Sequence, residues 1–311
     1  MSARRVLCDP SVPVERVAAI LAGEGITVEP SAPPWRGDDV VGLVSWAAVT
    51  ADDIAALPSL RVVSTPSVGF DHVDVDAATA KGVWVCHVPD YCVDEMADHA
   101  LALLLALVRG VVELDRSVRA GAWDSTAAGP LQRVADVRLG VIGFGRIGRA
   151  LSSRARALGM DVSAHDPFVP NEEVEAAGVR PVSLPELLTS STAVSVHAPL
   201  TPDTRGLLGR EALELLPEGA FVVNVSRGGL VDLDAVLEAL ESGHLGGVAL
   251  DVLEVEPPGD DAAAPSAARL VVNPHAGWYS EQAEDAVFRR AAEAVREVLA
   301  GRRPENPVNA V

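Results

Sequence analysis

Aromatic residues make up only 4% of the chain, and histidine occurs seven times in 311 positions. Alanine and valine supply much of its 49% hydrophobic content. Small aliphatic side chains in that proportion suit an α/β core. Cysteine is scarcer still: Cys8, Cys86 and Cys92 are scattered, with no CxxC pair. That spacing excludes a disulfide framework and a zinc pattern, and a reducing compartment fits. Long hydrophobic runs are missing too. The longest, residues 100–108, falls well short of the roughly 20 residues that cross a bilayer. Arg4 and Arg5 are followed almost at once by Asp9 and Pro10, so no apolar signal core is expected. Positive charge is in deficit: 25 basic against 44 acidic residues leave −19. Such a surface repels phosphate backbones and anionic lipids. The expectation is a cytoplasmic protein with no nucleic-acid and no membrane partner. An anionic substrate would need local positive charge built against that field.

What the chain does have is βα alternation. RVLC (5–8), VVGLV (40–44), LRVVS (60–64) and VWVCH (83–87) read as buried strands, with helices over VERVAAILAGEG and TADDIAALP between them. The pattern predicts a parallel sheet. No glycine fingerprint follows these strands, so this first sheet is not expected to bind a dinucleotide. Residues 94–110 predict one long helix, acidic at its start and ending at Arg109-Gly110. Its apolar positions run almost all the way round, which predicts burial on every side. A second βα series starts at Arg138 and runs to about residue 276, and an amphipathic helix closes the chain before Gly301.

The second series opens on GVIGFGRIG, with Gly143, Gly145 and Gly148 in GxGxxG spacing. An apolar strand precedes the motif, a helix follows, and the next strand ends at Asp166. In that context Gly143 permits the tight turn, Gly145 the approach of a pyrophosphate, and Gly148 the close packing of helix on strand. The free N–H groups of the helix start favour the same anion. Asp166 suits a ribose hydroxyl and repels a 2′-phosphate, and Pro167 and Phe168 add no cation, so NAD is expected over NADP. Three later strands end near Arg227, Glu256 and His275. Read singly these are a surface cation, a loop carboxylate and a helix cap. Together, beyond successive strand ends of a dinucleotide domain, they form a chemical set. Arg227 can hold a carboxylate by two parallel hydrogen bonds. Glu256 can fix the tautomer of His275 and favour its imidazolium. His275 can then give a proton to a substrate oxygen or take it back.

The motifs SVGFDHVDVDAATAKGV, VPDYCVDEMADHALALLL, GVIGFGRIG, VHAPLTPDTRGLL, NVSRGGLVD, ALDVLEVEP and NPHAGWYSE cover nearly the whole length. Through them the chain resembles the NAD-dependent D-isomer-specific 2-hydroxyacid dehydrogenases. NPHAGWYSEQA is similar to the branch that holds the C-terminal-binding-protein corepressors and bacterial dehydrogenase relatives. The resemblance implies two Rossmann-like or flavodoxin-like parallel-sheet domains with a cleft between them. The substrate domain would be residues 1–96 plus 277–311, and the NAD-binding domain 97–276. It implies a homodimer. It also implies that Arg227, Glu256 and His275 are catalytic, and that Asp251 binds the nicotinamide carboxamide. Arg146 and Ile147 would lie over the pyrophosphate. His197, Ala198, Pro199 and Thr204 would line the cofactor, with Val225, Ser226 and Gly277 near the nicotinamide. Val68 and Gly69 would hold the substrate carboxylate through backbone N–H groups, and Trp278 would face the substrate side chain. Hydride would pass from NADH to C2 of a 2-oxo acid while His275 protonates the carbonyl oxygen. No metal is expected.

Glutamate at 256, where formate oxidisers carry glutamine, and valine at 68, where phosphite oxidisers carry lysine, argue against those two activities. Trp278 after the histidine and the chain's length argue against a phosphorylated substrate and for a thioether or apolar 2-oxo acid, such as 4-methylthio-2-oxobutanoate. Packing remains the other reading of Trp278. The alternatives kept open are an NAD(H)-sensing, corepressor-like interaction protein and a D-3-phosphoglycerate or hydroxypyruvate dehydrogenase.

Overall fold

The computed structural model describes residues 4–258 and 266–311. It divides into two compact units, residues 1–91 with 279–311, and residues 92–278.

The first unit holds a five-stranded parallel sheet. Its strands are β1 (Arg4–Cys8), β2 (Ile26–Pro30), β3 (Val40–Val44), β4 (Val62–Ser64) and β5 (Trp84–Cys86), in the order β2-β1-β3-β4-β5. Helices α1 (Val14–Ile20), α2 (Ala51–Ala55) and α3 (Val75–Ala80) connect them. VVGLV is buried at all five positions, as a central parallel strand covered on both faces must be. Strand β2, ITVEP, is absent from the strands read in the sequence. It is an edge strand with no fully buried position, so it lacks the continuous apolar run that marks the others.

The second unit opens with α4 (Val93–Val108) and α5 (Val111–Arg119). A βα series follows: β6 (Arg138–Ile142), α6 (Arg146–Ala157), β7 (Asp161–His165), α7 (Asn171–Ala176), β8 (Arg180–Pro181), α8 (Leu184–Ser190) and β9 (Ala193–Val196). It continues through α9 (Arg210–Glu214), β10 (Ala220–Asn224), α10 (Leu233–Glu241), β11 (Leu245–Leu250) and β12 (Leu270–Val272). The seven strands pair in the order β12-β11-β10-β9-β6-β7-β8, all parallel. The chain then returns to the first unit as α11 (Glu281–Leu299).

Of the two expectations about residues 94–110, the helix end at Arg109-Gly110 agrees with the structure and the burial needs correction. The helix stops at Val108 because Gly110 takes a left-handed conformation, φ 59°, and a separate helix, α5, starts beyond it. A side chain at Gly110 would come within 2.5 Å of the Ala128 Cβ, so glycine is needed there for space as well. The burial is the part that differs: α4 is not buried on every side. Met96, Ala97, Ala100, Leu103, Leu104, Leu107 and Val108 are buried, but Asp94, Asp98, Ala102 and Arg109 are exposed. Arg154 of α6 binds both Asp94 and Asp98, at 2.6 and 2.5 Å. The small residues and leucines on the open face gave the sequence its all-round apolar look.

In the first unit, α11 lies on the sheet, and Ser64 at the end of β4 gives its hydroxyl proton to the Ala291 carbonyl at 2.9 Å. The chain's last segment covers the β5 edge: Val308 N–H donates to the Val85 carbonyl at 2.7 Å, and Asn309 Oδ1 accepts from Val85 N–H at 2.8 Å. An unpaired edge invites association with other chains, and this cover removes that template. Lys81, the only lysine of the chain, donates its ammonium protons to the carbonyls of Ile54 and Leu57 where α2 ends. Among the described residues, no helix is long and apolar enough to cross a membrane.

Asp53 closes the start of α2. Its carboxylate accepts from Thr50 N–H at 3.1 Å, Thr50 Oγ1 at 2.7 Å, Trp35 N–H at 3.1 Å and Arg36 Nη1 at 3.3 Å. Burial alone would raise its pKa, but these donors outweigh it and hold the group below the ordinary carboxylate range. Its stabilising contribution is therefore present above the unfolded pKa of about 3.9 and lost as pH falls through the folded value. Asp53→Ala is expected to cost about 2 kcal/mol near neutral pH. The gap between variant and parent should narrow below about pH 4. Urea denaturation across that range checks both statements.

Candidate active site

Parallel strands bring their carboxyl ends to one edge of the second sheet, and the loops beyond those ends carry the site. The first is the glycine loop after β6. Gly143 has φ 92°, and a Cβ there would lie 2.7 Å from the His197 carbonyl carbon and oxygen. Gly148 has no room for a Cβ either: it would sit 2.2 Å from the Gly143 carbonyl oxygen. Gly145 differs, with open space where its Cβ would point. It precedes α6, whose first turn carries no acidic residue and no side-chain cap, and Arg146 and Ile147 are the first two helical residues. A helix N-terminus left in this state offers N–H groups and a positive dipole end to an anion.

Asp166, beyond β7, braces the loop. Its Oδ2 accepts from Phe144 N–H at 2.8 Å and its Oδ1 from Phe168 N–H at 2.9 Å. A cavity of about 470 Å³ opens beside it, lined by Asp166, Pro167, Val169, Pro181, Val182 and Ser183. Nothing in the sequence signalled that this carboxylate also holds the glycine turn.

After β9, His197 reaches the surface with part of its residue, but its ring is sunk in the loop. Nε2 lies 2.8 Å from Ser195 Oγ, and Nδ1 is buried without a hydrogen-bond partner. Burial pushes its pKa down to about 4, so the ring is neutral at physiological pH. Ala198 is half-buried and Pro199 exposed. The Thr204 hydroxyl donates to the Pro199 carbonyl at 2.7 Å and accepts from Thr201 N–H at 2.8 Å, so its hydrogen bonds shape this loop.

After β10, fully buried Asn224 builds the turn. Its Oδ1 accepts from Ser226 N–H at 3.0 Å, and its Nδ2 donates to the Arg227 carbonyl at 2.8 Å. Val225 is buried, and Ser226 Oγ donates to the Val196 carbonyl at 2.8 Å. The backbone around Arg227 is thus fixed on both sides. Gly228 packs directly on the next loop: a Cβ would lie 2.0 Å from the Leu253 carbonyl carbon. Asn224 escaped the sequence reading because it is the last residue of a strand, where a single asparagine gives no pattern.

Beyond β11 and β12 come Glu256 and His275. His275 Nδ1 lies 2.7 Å from Glu256 Oε2, and Glu256 Oε1 accepts from Leu253 N–H at 2.6 Å. Burial would raise the Glu256 pKa; the bonds from His275 and Leu253, with the charges of His275 and Arg227, hold it below the usual range. Arg227, Glu256 and His275 are brought together in this sense: one direct hydrogen bond, with the guanidinium close enough to act on the carboxylate. His275 itself is strained, with φ 53°. Asp251 holds it there. Its carbonyl accepts from His275 N–H at 2.8 Å, and its carboxylate from Ala276 and Gly277 N–H, each at 2.9 Å. Asp251 is fully buried. The carboxamide-binding role implied for it therefore meets a carboxylate already engaged by backbone and closed off from the surface.

Two sequence-picked residues sit in the first unit. Val68 and Gly69 lie in a turn whose carbonyls are occupied: His87 Nδ1 is 2.8 Å from the Val68 carbonyl, and Ser67 Oγ donates to that of Gly69 at 2.5 Å. Their N–H groups have no hydrogen-bond partner among the described residues. Trp278, the last residue of the second unit, is half-buried. Among the described residues, no group of three or more His, Cys, Asp or Glu side chains is placed to hold a metal.

Residues 101–277, more than half of the chain, match the NAD-binding domain of D-isomer specific 2-hydroxyacid dehydrogenases. The chain is 36% identical over 297 residues to a D-3-phosphoglycerate dehydrogenase of Methanocaldococcus jannaschii, which covers 95% of this chain but 56% of that protein. It spans about half the length of the phosphoglycerate dehydrogenases it matches. A glycerate dehydrogenase of Methylorubrum extorquens is 35% identical over 280 residues, 87% of this chain and 85% of that one. Among solved structures, a D-lactate dehydrogenase of Aquifex aeolicus complexed with NAD and lactic acid superposes with a TM-score of 0.88 at 27% identity. That match covers 98% of this chain and 99% of the other.

The glycines separate two kinds of constraint. Gly228→Ala is expected to destabilise the protein by several kcal/mol, roughly 3, because backbone must move to admit the methyl group. Gly145→Ala should change stability by less than about 0.5 kcal/mol, yet weaken NADH binding about tenfold or more. Chemical denaturation and a fluorescence titration with NADH distinguish the two.

Proposed function

Because the chain belongs to the D-isomer specific 2-hydroxyacid dehydrogenase family, we propose that it is an NAD-dependent oxidoreductase that reduces a 2-oxo acid to the D-2-hydroxy acid and runs the reverse reaction. The observation that carries this reading is the 2.7 Å contact of His275 with Glu256, beside a guanidinium and beyond the glycine loop. The glycine loop fits a dinucleotide. Gly145 leaves its Cβ space open, the α6 start is uncapped, and Asp166 has lone pairs to spare after its two backbone bonds. The carboxylate favours NAD over NADP. Arg146 and Ile147 over the pyrophosphate, and His197, Ala198, Pro199, Thr204, Val225, Ser226 and Gly277 along the cofactor, belong to the same reading.

Bound there, the nicotinamide supplies or accepts the hydride. The chain's own residues do the rest. Arg227 fixes the substrate carboxylate and polarises the carbonyl. His275 gives its proton to the carbonyl oxygen during reduction and takes it back during oxidation. Glu256 accepts from Nδ1, which leaves Nε2 to face the substrate and stabilises the imidazolium. In the first unit, the unengaged N–H groups of Val68 and Gly69 are suited to an anion. Local donors of this kind answer the −19 net charge without a basic surface.

For the substrate side chain, Trp278 favours a thioether or apolar group, by stacking or S–aromatic contact. A second reading rests on the relatives' names. Phosphoglycerate and glycerate dehydrogenases point to a small hydroxylated acid such as hydroxypyruvate. NADH oxidation against glyoxylate, hydroxypyruvate, pyruvate, phenylpyruvate and 4-methylthio-2-oxobutanoate decides between them. His275→Ala should lower turnover by about 10²- to 10⁴-fold. Preference for the larger acids gives Trp278 a substrate role, and preference for the smallest returns it to packing. Tight NADH binding with no turnover of any acid would defeat the enzyme reading in favour of a sensor.

A homodimer belongs to the same proposal. Val111, Val118 and Trp123 stand 55%, 47% and 92% exposed along one stretch, apolar side chains that a second copy would cover. Sedimentation velocity is expected to give a dimer, with Trp123→Arg shifting it towards monomer. A monomeric parent protein would refute the point.

A further inference from the structure

His99 lies on α4, three residues after Met96, and takes no part in the reaction described above. Its side chain is mostly buried, and its Nε2 is 3.2 Å from Asp251 Oδ1, off the line of an aligned hydrogen bond and with no other partner. Asp251 is the residue that binds three consecutive backbone N–H groups, those of His275, Ala276 and Gly277. Glycine at 277 makes the approach possible. A Cβ there would lie 2.8 Å from Asp251 Oδ2, 3.0 Å from His99 Cδ2 and 3.2 Å from Met96 Sδ. So α4 roofs the contact between Asp251 and the turn.

We propose that His99 is a positioning residue. Its imidazole holds the buried Asp251 carboxylate in the place from which that carboxylate clamps the left-handed turn carrying His275. The physical need is plain. A buried carboxylate with only two backbone donors is under-compensated, and removing a partner from a buried charge is costly. A left-handed φ at a residue other than glycine persists only where its surroundings hold it. The Asp251 carboxyl is pushed up by burial and brought back down by His99 and by the Ala276 and Gly277 N–H groups, consistent with a three-sided clamp. Held in this way, the His275 ring meets Glu256 at 2.7 Å. Without His99, the carboxylate is free to move off Ala276 and Gly277, and the turn loosens. The catalytic half of this inference rests on the function proposed above; the structural half does not.

The test uses the full chain and two variants. His99→Leu keeps volume and removes the ring nitrogen, and His99→Gln restores an N–H donor at similar reach. Hydrogen exchange at the amides of residues 275–277 should speed up at least tenfold in His99→Leu, with α4 and β10 amides within twofold of the parent. His99→Gln should return most of that protection. In steady state, His99→Leu should lower kcat about tenfold to a hundredfold while the KM for NADH moves less than twofold. If His99→Leu does not accumulate, His99→Asn, too short to reach Asp251, takes its place. Unchanged exchange at 275–277 would overturn the proposal. So would loosening spread along α4 that glutamine does not reverse, because that is the mark of a packing residue. Faster exchange at the turn in a protein that turns over no 2-oxo acid would keep the clamp and sink the enzyme reading.

Discussion

The one-way direction of seven strands is the constraint from which the site follows. In a parallel sheet every strand finishes at the same edge, and each must be followed by a connection that leaves and returns. The loops after β6, β7, β9, β10, β11 and β12 therefore share one rim. Residues far apart in sequence, from Gly143 to His275, are neighbours because their strands are in register. Close packing of those loops is what the backbone demands next. Gly143 lies against His197, and Gly228 against Leu253. Each meeting excludes even a methyl group. The rim is a set of interlocked turns, and the side chains with chemistry stand on it.

Polar side chains lock the rim. Asn224 ties the turn before Arg227, Asp166 ties the glycine loop, and Asp251 ties the turn after β12. Each answers the same problem: a loop at a buried strand end has backbone N–H groups that cannot reach water, and an unmet donor there costs on the order of 1–3 kcal/mol. Asp166 and Asp251 each accept from two backbone N–H groups, while Asn224 accepts from one and donates to a carbonyl. The arrangement leaves Arg227, Glu256 and His275 oriented by groups that never touch a substrate.

Much of this was legible in the sequence. The glycine spacing after an apolar strand, and Arg227, Glu256 and His275 after three more, announce themselves because a charged or glycine residue just past an apolar run is a local pattern. The missing parts were those whose meaning depends on a distant partner. Asn224 looks like an ordinary polar residue at a strand's end until Ser226 and Arg227 are seen folded round it. His99 sits in an apolar helix and is unremarked until Asp251, about 150 residues later, arrives beside it. Strand β2 hides because half-exposed edge strands do not read as apolar runs. The helix over 94–110 was over-read, since leucines and alanines on its outer face look the same in sequence as those on its inner face.

The way the chain leaves the first unit and comes back bears on how it is made. Strands β1 to β5 leave the ribosome early, but α11 and the segment that covers β5 are separated from them by about 190 residues. At roughly 5–20 residues per second, that interval is on the order of 10–40 s. During it, the surface that α11 covers, with Val62 to Ser64 among it, has no lid, while the second unit is itself being made and gathers its strands one by one. Nascent chains of this protein thus pass through a stage in which the earlier sheet has all five strands and still waits for its covering helix. That is the stage at which a holding chaperone has most to bind.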